Sequence, residues 1–132
     1  DYGYADEAFR MIVQPEYPGW GYLVAKGATT LWEHWDGKYS QNHVMFGDIS
    51  AWFYRYAGGF HYRWEKPGCR LLALVPQKLE SISNYTVTHR GFSVKRADSK
   101  LEIIIPAGCQ AELALPDRET ETLNSGVYYR SF

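Results

Sequence analysis

Cysteine is scarce in this 132-residue chain, with only Cys69 and Cys109 present. Two thiols cannot build a disulfide framework, and these two lack metal-ligand spacing. Both read as small core residues; a bridge between them is open but not favoured, and they leave the redox compartment undecided. Long apolar runs are also missing. Nothing approaches the roughly 18 apolar residues of a membrane span, and a mean hydropathy of -0.40 with 22% charged residues excludes a membrane protein. Nor is there an excess of either charge. Fourteen basic residues against 15 acidic ones leave a net charge of -1, which gives no footprint for nucleic acid or anionic lipid. Neither is expected as a partner. The first ten residues, DYGYADEAFR, lack the basic start and apolar stretch of a signal peptide. They open in mid-pattern, as a piece cut from a longer protein would.

What the chain has is aromatic residues, at 17% of the sequence, and they are unevenly placed. Residues 1–66 hold 17 of them and all five Trp, and residues 67–132 hold only Tyr85, Phe92, Tyr128, Tyr129 and Phe132. Glycine follows the same step, eight before position 67 and four after. The step predicts two regions with different tasks.

The patterning agrees. Ala5, Ala8, Phe9 and Ile12 share one face of a short helix over 4–14, with Asp6 and Glu7 at its positive end and Pro15 stopping it. EYPG at 16–19 reads as a turn. A second short helix over 20–26 ends at Gly27 in the C′ role, and ATTLW (28–32) is more extended than helical. Met45, Ile49, Trp52, Phe53, Tyr56 and Phe60 then form one apolar stripe, a helix from Asn42 that Ser40 or Asn42 caps and Gly58-Gly59 end. After Pro67-Gly68 the period changes to two. RLLALVP, Tyr85/Val87/His89, Phe92/Val94, Leu101/Ile103/Ile105, Cys109/Ala111/Leu113/Leu115 and Val127/Tyr129 read as short strands of an antiparallel sheet or sandwich, with a turn at 97–100. His89-Arg90 and Lys95-Arg96 read as solvated strand faces. No internal repeat or low-complexity segment is present.

The chemistry concentrates in GATTLWEHWDGKYSQNHVMFGD (27–48). Glu33 lies in sequence between Trp32 and Trp35, with His34 and Asp36 beside it. Indole rings pack on the apolar faces of pyranoses, and a carboxylate among them can exchange protons with a sugar or water. Desolvation raises the pKa of a Glu, which suits base work near neutral pH. The plainer alternative is an exposed Glu on a Trp-rich loop. His43, ten residues on, reads more readily as a core or capping residue than as a functional one. A metal site from Glu33, His34, Asp36 and His43 is the weaker reading, because no helical spacing puts them on one face. No phosphate loop or nucleophile elbow occurs, and no cofactor is expected.

GYLVAKGATTLWEHWDG, NHVMFGDISAWFYRYAGG, IIIPAGCQAELALPD and SGVYY together resemble glycoside hydrolase family 78, the bacterial-type α-L-rhamnosidases, over nearly the whole chain. The first two segments are the specific ones. The resemblance implies an α+β fragment: the last helices of an (α/α)6 barrel catalytic domain over 1–66, then that family's C-terminal antiparallel β-sandwich over 67–132. It implies that Glu33 is the general base of an inverting hydrolase and that His43 contacts rhamnose hydroxyls, with Trp35 and Trp32 lining the pocket. The partners it implies are a rhamnose-containing carbohydrate and the rest of the parent barrel. The 37–42 loop is short for the family, which bears on how the sugar mouth closes.

The family's general acid lies in a segment upstream of Asp1. Inversion needs two carboxylates roughly 6.5–9.5 Å apart, so the 132 residues alone are expected to be inactive. The competing expectation is a non-catalytic carbohydrate-binding or structural β module that folds alone.

Overall fold

A computed structural model describes residues 3–63, 66, 68 and 70–132. The expectations at Pro67 and Cys69 lie outside the described residues. The chain separates into two compact units, Asp1–Trp52 and Phe53–Phe132. The fold class is α+β, with few helices and two sheets rich in antiparallel pairs.

In the first unit, α1 (Ala5–Val13) places Asp6 and Glu7 in its first turn and buries Ile12. It ends because Gln14 turns extended, with ψ 134°, ahead of Pro15. The 16–19 turn contains a cis Tyr17-Pro18 bond. α2 (Trp20–Ala25) buries Leu23 and closes as the sequence predicts. Gly27 N–H donates to the Val24 carbonyl and Ala28 N–H to the Leu23 carbonyl, with Gly27 at φ 83°, which is the paired-bond C-terminal motif. The 28–32 segment is irregular rather than a strand, because no neighbouring strand takes up its backbone groups.

The helix expected from Asn42 to Phe60 is corrected. A 3-10 turn (Val44–Phe46), α3 (Ile49–Trp52) and a π turn (Phe53–Ala57) replace it, and Phe60 belongs to a strand. Backbone geometry is the reason. Gly58 N–H reaches the Phe53 carbonyl, and Gly59 at φ 73° turns the chain where an added Cβ would lie 2.1 Å from the Pro76 nitrogen.

The second unit holds β1 (Phe60–Tyr62), β2 (Leu71–Leu74), β3 (Asn84–His89), β4 (Phe92–Ala97), β5 (Lys100–Ile105), β6 (Gln110–Leu113), β7 (Glu121–Leu123) and β8 (Gly126–Ser131). They form two four-stranded sheets, ordered β1-β2-β6-β7 and β3-β4-β5-β8. Phe60, Leu72, Leu74, Ala111, Leu113 and Leu123 from the first sheet meet Phe92, Val94, Leu101, Ile103 and Ile105 from the second in one core. Period-two burial along each strand is what sends alternate apolar residues to that core.

Five details depart from the sequence reading. β2 and β6 run parallel, Leu72 opposite Ala111. β7 was not expected, since only Leu123 of its three residues is buried. On β8, Tyr128 rather than Val127 or Tyr129 packs at the core, because it pairs with inward-facing Ile103. Arg96 is not solvated. It shares the inward phase of Phe92 and Val94 and is only 5% exposed. Its guanidinium donates to the carbonyls of Leu79, Ile82 and Asp98 and lies over the Phe132 ring. His89 is likewise half-buried, bonded to the Tyr62 hydroxyl. Cys109 is a free thiol packed against the core.

Candidate active site

The segments 30–33 and 40–43 run side by side, clasped by backbone bonds. Glu33 N–H donates to the Ser40 carbonyl at 2.8 Å, His43 N–H to the Leu31 carbonyl at 2.8 Å, and the Thr30 hydroxyl to the Gln41 carbonyl. The clasp puts Glu33 and His43 on one small platform. Ser40 N–H also donates to Glu33 Oε2 at 3.2 Å, so one carboxylate oxygen is engaged by the backbone while the side chain stays half-buried. Ser40 was read from the sequence as a helix cap, and its tie to Glu33 carries no motif of its own.

His43, not Ser40 or Asn42, caps the 3-10 turn. Met45 N–H donates to His43 Nδ1 at 3.1 Å. A ring whose Nδ1 accepts carries its proton on Nε2, which makes Nε2 a donor.

The two indoles flanking Glu33 take different partners. Trp35 stacks on Phe46, centroids 4.2 Å apart and planes at 22°, and Trp20 meets both rings edge-on at 5.6 and 6.0 Å. Trp20 Nε1 donates to the Phe46 carbonyl, which fixes the cluster. Trp20 and Phe46 were missed as site residues, although both belong to the aromatic excess. Trp32 lies instead against Gly37. A Cβ at Gly37 would sit 2.9 Å from the Trp32 ring, and the backbone there has φ 78°, so glycine is required on both counts.

Asp36 organises the intervening turn. Oδ1 accepts from His34 Nδ1 at 2.8 Å and from Lys38 N–H at 3.0 Å, and Oδ2 meets Lys38 Nζ at 2.9 Å. The Lys38 side chain, followed by its backbone N–H, holds the Asp36 carboxyl far below the usual carboxylate range, and Asp36 in turn raises Lys38. The His34 ring also meets Tyr39 edge-on at 6.2 Å. Among the described residues, no group of three or more His, Cys, Asp or Glu side chains could hold a metal ion, and no helix is long and apolar enough to cross a membrane.

Elsewhere in the first unit, Ala8, Met11, Ile12, Trp20, Ile49 and Trp52, with Asp48 among them, line an apolar cavity of about 200 Å³.

Comparison with known proteins fits a sugar-processing class. Residues 1–57 match the family described as the bacterial alpha-L-rhamnosidase 6 hairpin glycosidase domain. An α-L-rhamnosidase of Streptomyces avermitilis is 36% identical over 70 residues, covering 45% of this chain and 7% of that protein. One from Formosa agariphila is 24% identical over 141 residues, covering 92% of this chain and 15% of its own length. Among solved structures, the native α-L-rhamnosidase of Aspergillus terreus superposes with a TM-score of 0.83 at 26% identity, over 98% of this chain and 17% of that one. The chain is therefore similar along most of its length to α-L-rhamnosidases, and residues 1–57 match the bacterial six-hairpin domain of that class. It spans only a small part of the length of the relatives it matches.

Proposed function

We propose that the chain supplies the general base for inverting hydrolysis of terminal α-L-rhamnosides. Its helical region, residues 1–66, would contribute to an (α/α)6 barrel and residues 67–132 to the β domain, although β1 (Phe60–Tyr62) falls in the first range and pairs with β2 of the second. Glu33 takes a proton from the water that attacks the anomeric carbon. A carboxylic acid elsewhere in the parent enzyme protonates the leaving oxygen. His43 Nε2 donates to a rhamnose hydroxyl, and Trp35 and Trp32 present ring faces to the sugar.

The observation that carries the reading is the half-engaged carboxylate. Glu33 Oε2 is held by Ser40 N–H, and Oε1 has no partner among the described residues. A base needs one oxygen fixed for orientation and one open for the proton. In the full-length enzyme, Glu33→Gln is expected to lower kcat on an aryl α-L-rhamnoside by about 10²–10⁴-fold with the fold intact by circular dichroism. A Gln variant with wild-type kcat removes Glu33 from the role.

One observation favours a second reading, carbohydrate binding by the β region. Of the aromatics in this region, Phe92 is buried, Tyr85 donates its hydroxyl to the Ala57 carbonyl and Tyr128 packs at the core. Tyr129 alone stands free, 69% exposed, in a row with Lys95 and Glu102 beside a depression of about 230 Å³. Titrating the chain and its Tyr129→Ala variant with rhamnose oligosaccharides tests it. Chemical-shift changes at β5 and β8 that the variant abolishes are the supporting result.

A further inference from the structure

Asp36 makes more polar contacts than any other side chain in the 34–40 turn, and none of its assigned contacts is to Glu33. Three donors, His34 Nδ1, Lys38 N–H and Lys38 Nζ, converge on its two oxygens. They fix a path the backbone would otherwise resist. Gly37 sits at φ 78° beneath Trp32, and Tyr39 is held at φ 61°, a left-handed conformation that a bulky residue adopts only under constraint. The next residue is Ser40, whose N–H holds Glu33 Oε2 and whose carbonyl takes the Glu33 N–H. Any change in the path from 36 to 39 therefore moves the group that orients the carboxylate.

We propose that Asp36 is a positioning residue for Glu33: through the 36–40 turn it keeps Oε2 on the Ser40 N–H and reserves Oε1 as the oxygen that receives the proton. This rests on the reading of Glu33 as general base. In that step the water oxygen bonds to the anomeric carbon while the bond from that carbon to the leaving oxygen breaks. One water proton passes to Oε1, and the leaving oxygen takes the proton of the general acid. Asp36 touches neither sugar nor water. Its effect falls on kcat, because a base displaced by about 1 Å costs on the order of 10²-fold in rate.

The test compares variants of the full-length enzyme on an aryl α-L-rhamnoside. D36A is expected to lower kcat about 100-fold and leave KM within about twofold. D36N keeps an oxygen for the Lys38 and His34 donors but turns an amide toward Lys38 Nζ. It should lose about three- to tenfold in kcat with KM unchanged, a partial rescue that a general structural role would not single out. D36A at wild-type kcat, or with KM alone raised, overturns the proposal. Where D36A melts at a markedly lower temperature, D36N decides: the stated loss supports the proposal and unchanged kcat overturns it. E33Q run in parallel separates the two levels. E33Q inactive beside fully active D36A and D36N overturns only the Asp36 role, and active E33Q overturns the base reading together with it.

Discussion

In Phe53–Phe132 the apolar side chains of eight strands meet in one core, with Leu72, Val94, Ile103 and Ala111 wholly removed from solvent. In Asp1–Trp52, Ile12 and Leu23 are the buried large apolar side chains among the described residues, while Tyr4, Met11, Val24, Tyr39 and Val44 stand exposed. Fixing a backbone costs roughly 1–2 kcal/mol per residue, and burial at about 25 cal/mol per Å² is the main offset. The strand region supplies that offset from its own residues. The helical region relies on ring-to-ring contacts, Phe9 on Trp52 and Trp35 on Phe46. The difference teaches a division of labour, in which the stable core lies in one region and the candidate chemistry in the other.

The largest effect expected from this division is on activity. The 132-residue chain alone should show no turnover of an aryl α-L-rhamnoside, because the proposed mechanism takes its general acid from elsewhere in the parent enzyme. Turnover at ordinary glycosidase rates would break the comparison outright. Hydrogen exchange sharpens it next. Amides of β4 and β5 should exchange at least about 100-fold more slowly than those of α1 and α2, and equal protection would show that the helical region is stable in its own right.

Smaller effects appear in denaturation. Phe92→Ala should cost about 3–5 kcal/mol in the main urea transition, whereas Trp35→Ala should leave that transition within about 0.5 kcal/mol. Equal losses would mean that the two regions unfold as one. The smallest effect concerns Glu121, whose carboxyl Arg130 holds below its ordinary value of 4.5 through paired hydrogen bonds. A carboxyl lowered in the folded state adds stability above its unfolded pKa, and this is lost as pH falls through the lower folded value. With both side chains partly exposed the gain is at most about 1 kcal/mol. Comparing urea midpoints of wild type and Glu121→Gln at pH 6 and pH 3, the gap should be present at pH 6 and shrink at pH 3.

Much of the strand region was legible because burial alternates strictly along β4, β5 and β6, and a period of two is the simplest pattern a sequence can carry. β7 escaped because DRETETL has one apolar anchor. The phase of β8 escaped because Val127, Tyr128 and Tyr129 are all apolar enough to face inward, and only pairing with Ile103 decides among them. The parallel match of β2 with β6 is a property of topology rather than of either strand. At the site, Glu33 and His43 stood out in the sequence as candidates, and the roles proposed for them come from the family resemblance rather than from spacing. Ser40 and Trp20 make their contacts through a backbone N–H or through rings distant in sequence, and the local contacts of Asp36 with His34 and Lys38 follow no motif, so none of these leaves a periodic trace. The long helical stripe misled because its spacing was genuine, yet Gly58 and Gly59 turn the chain inside it.

The parallel pairing of β2 with β6 also bears on synthesis. Leu71 must wait for Gln110, and β3, β4 and β5 are made in between. At about 5–20 residues per second that wait lasts on the order of 2–8 s. Throughout it one edge of β2 has no strand to bond, while the β3–β4–β5 meander can zip from its own tight turns. The region is thus assembled from its middle outward, and its most exposed moment comes while the LLAL segment is still unpaired on that side.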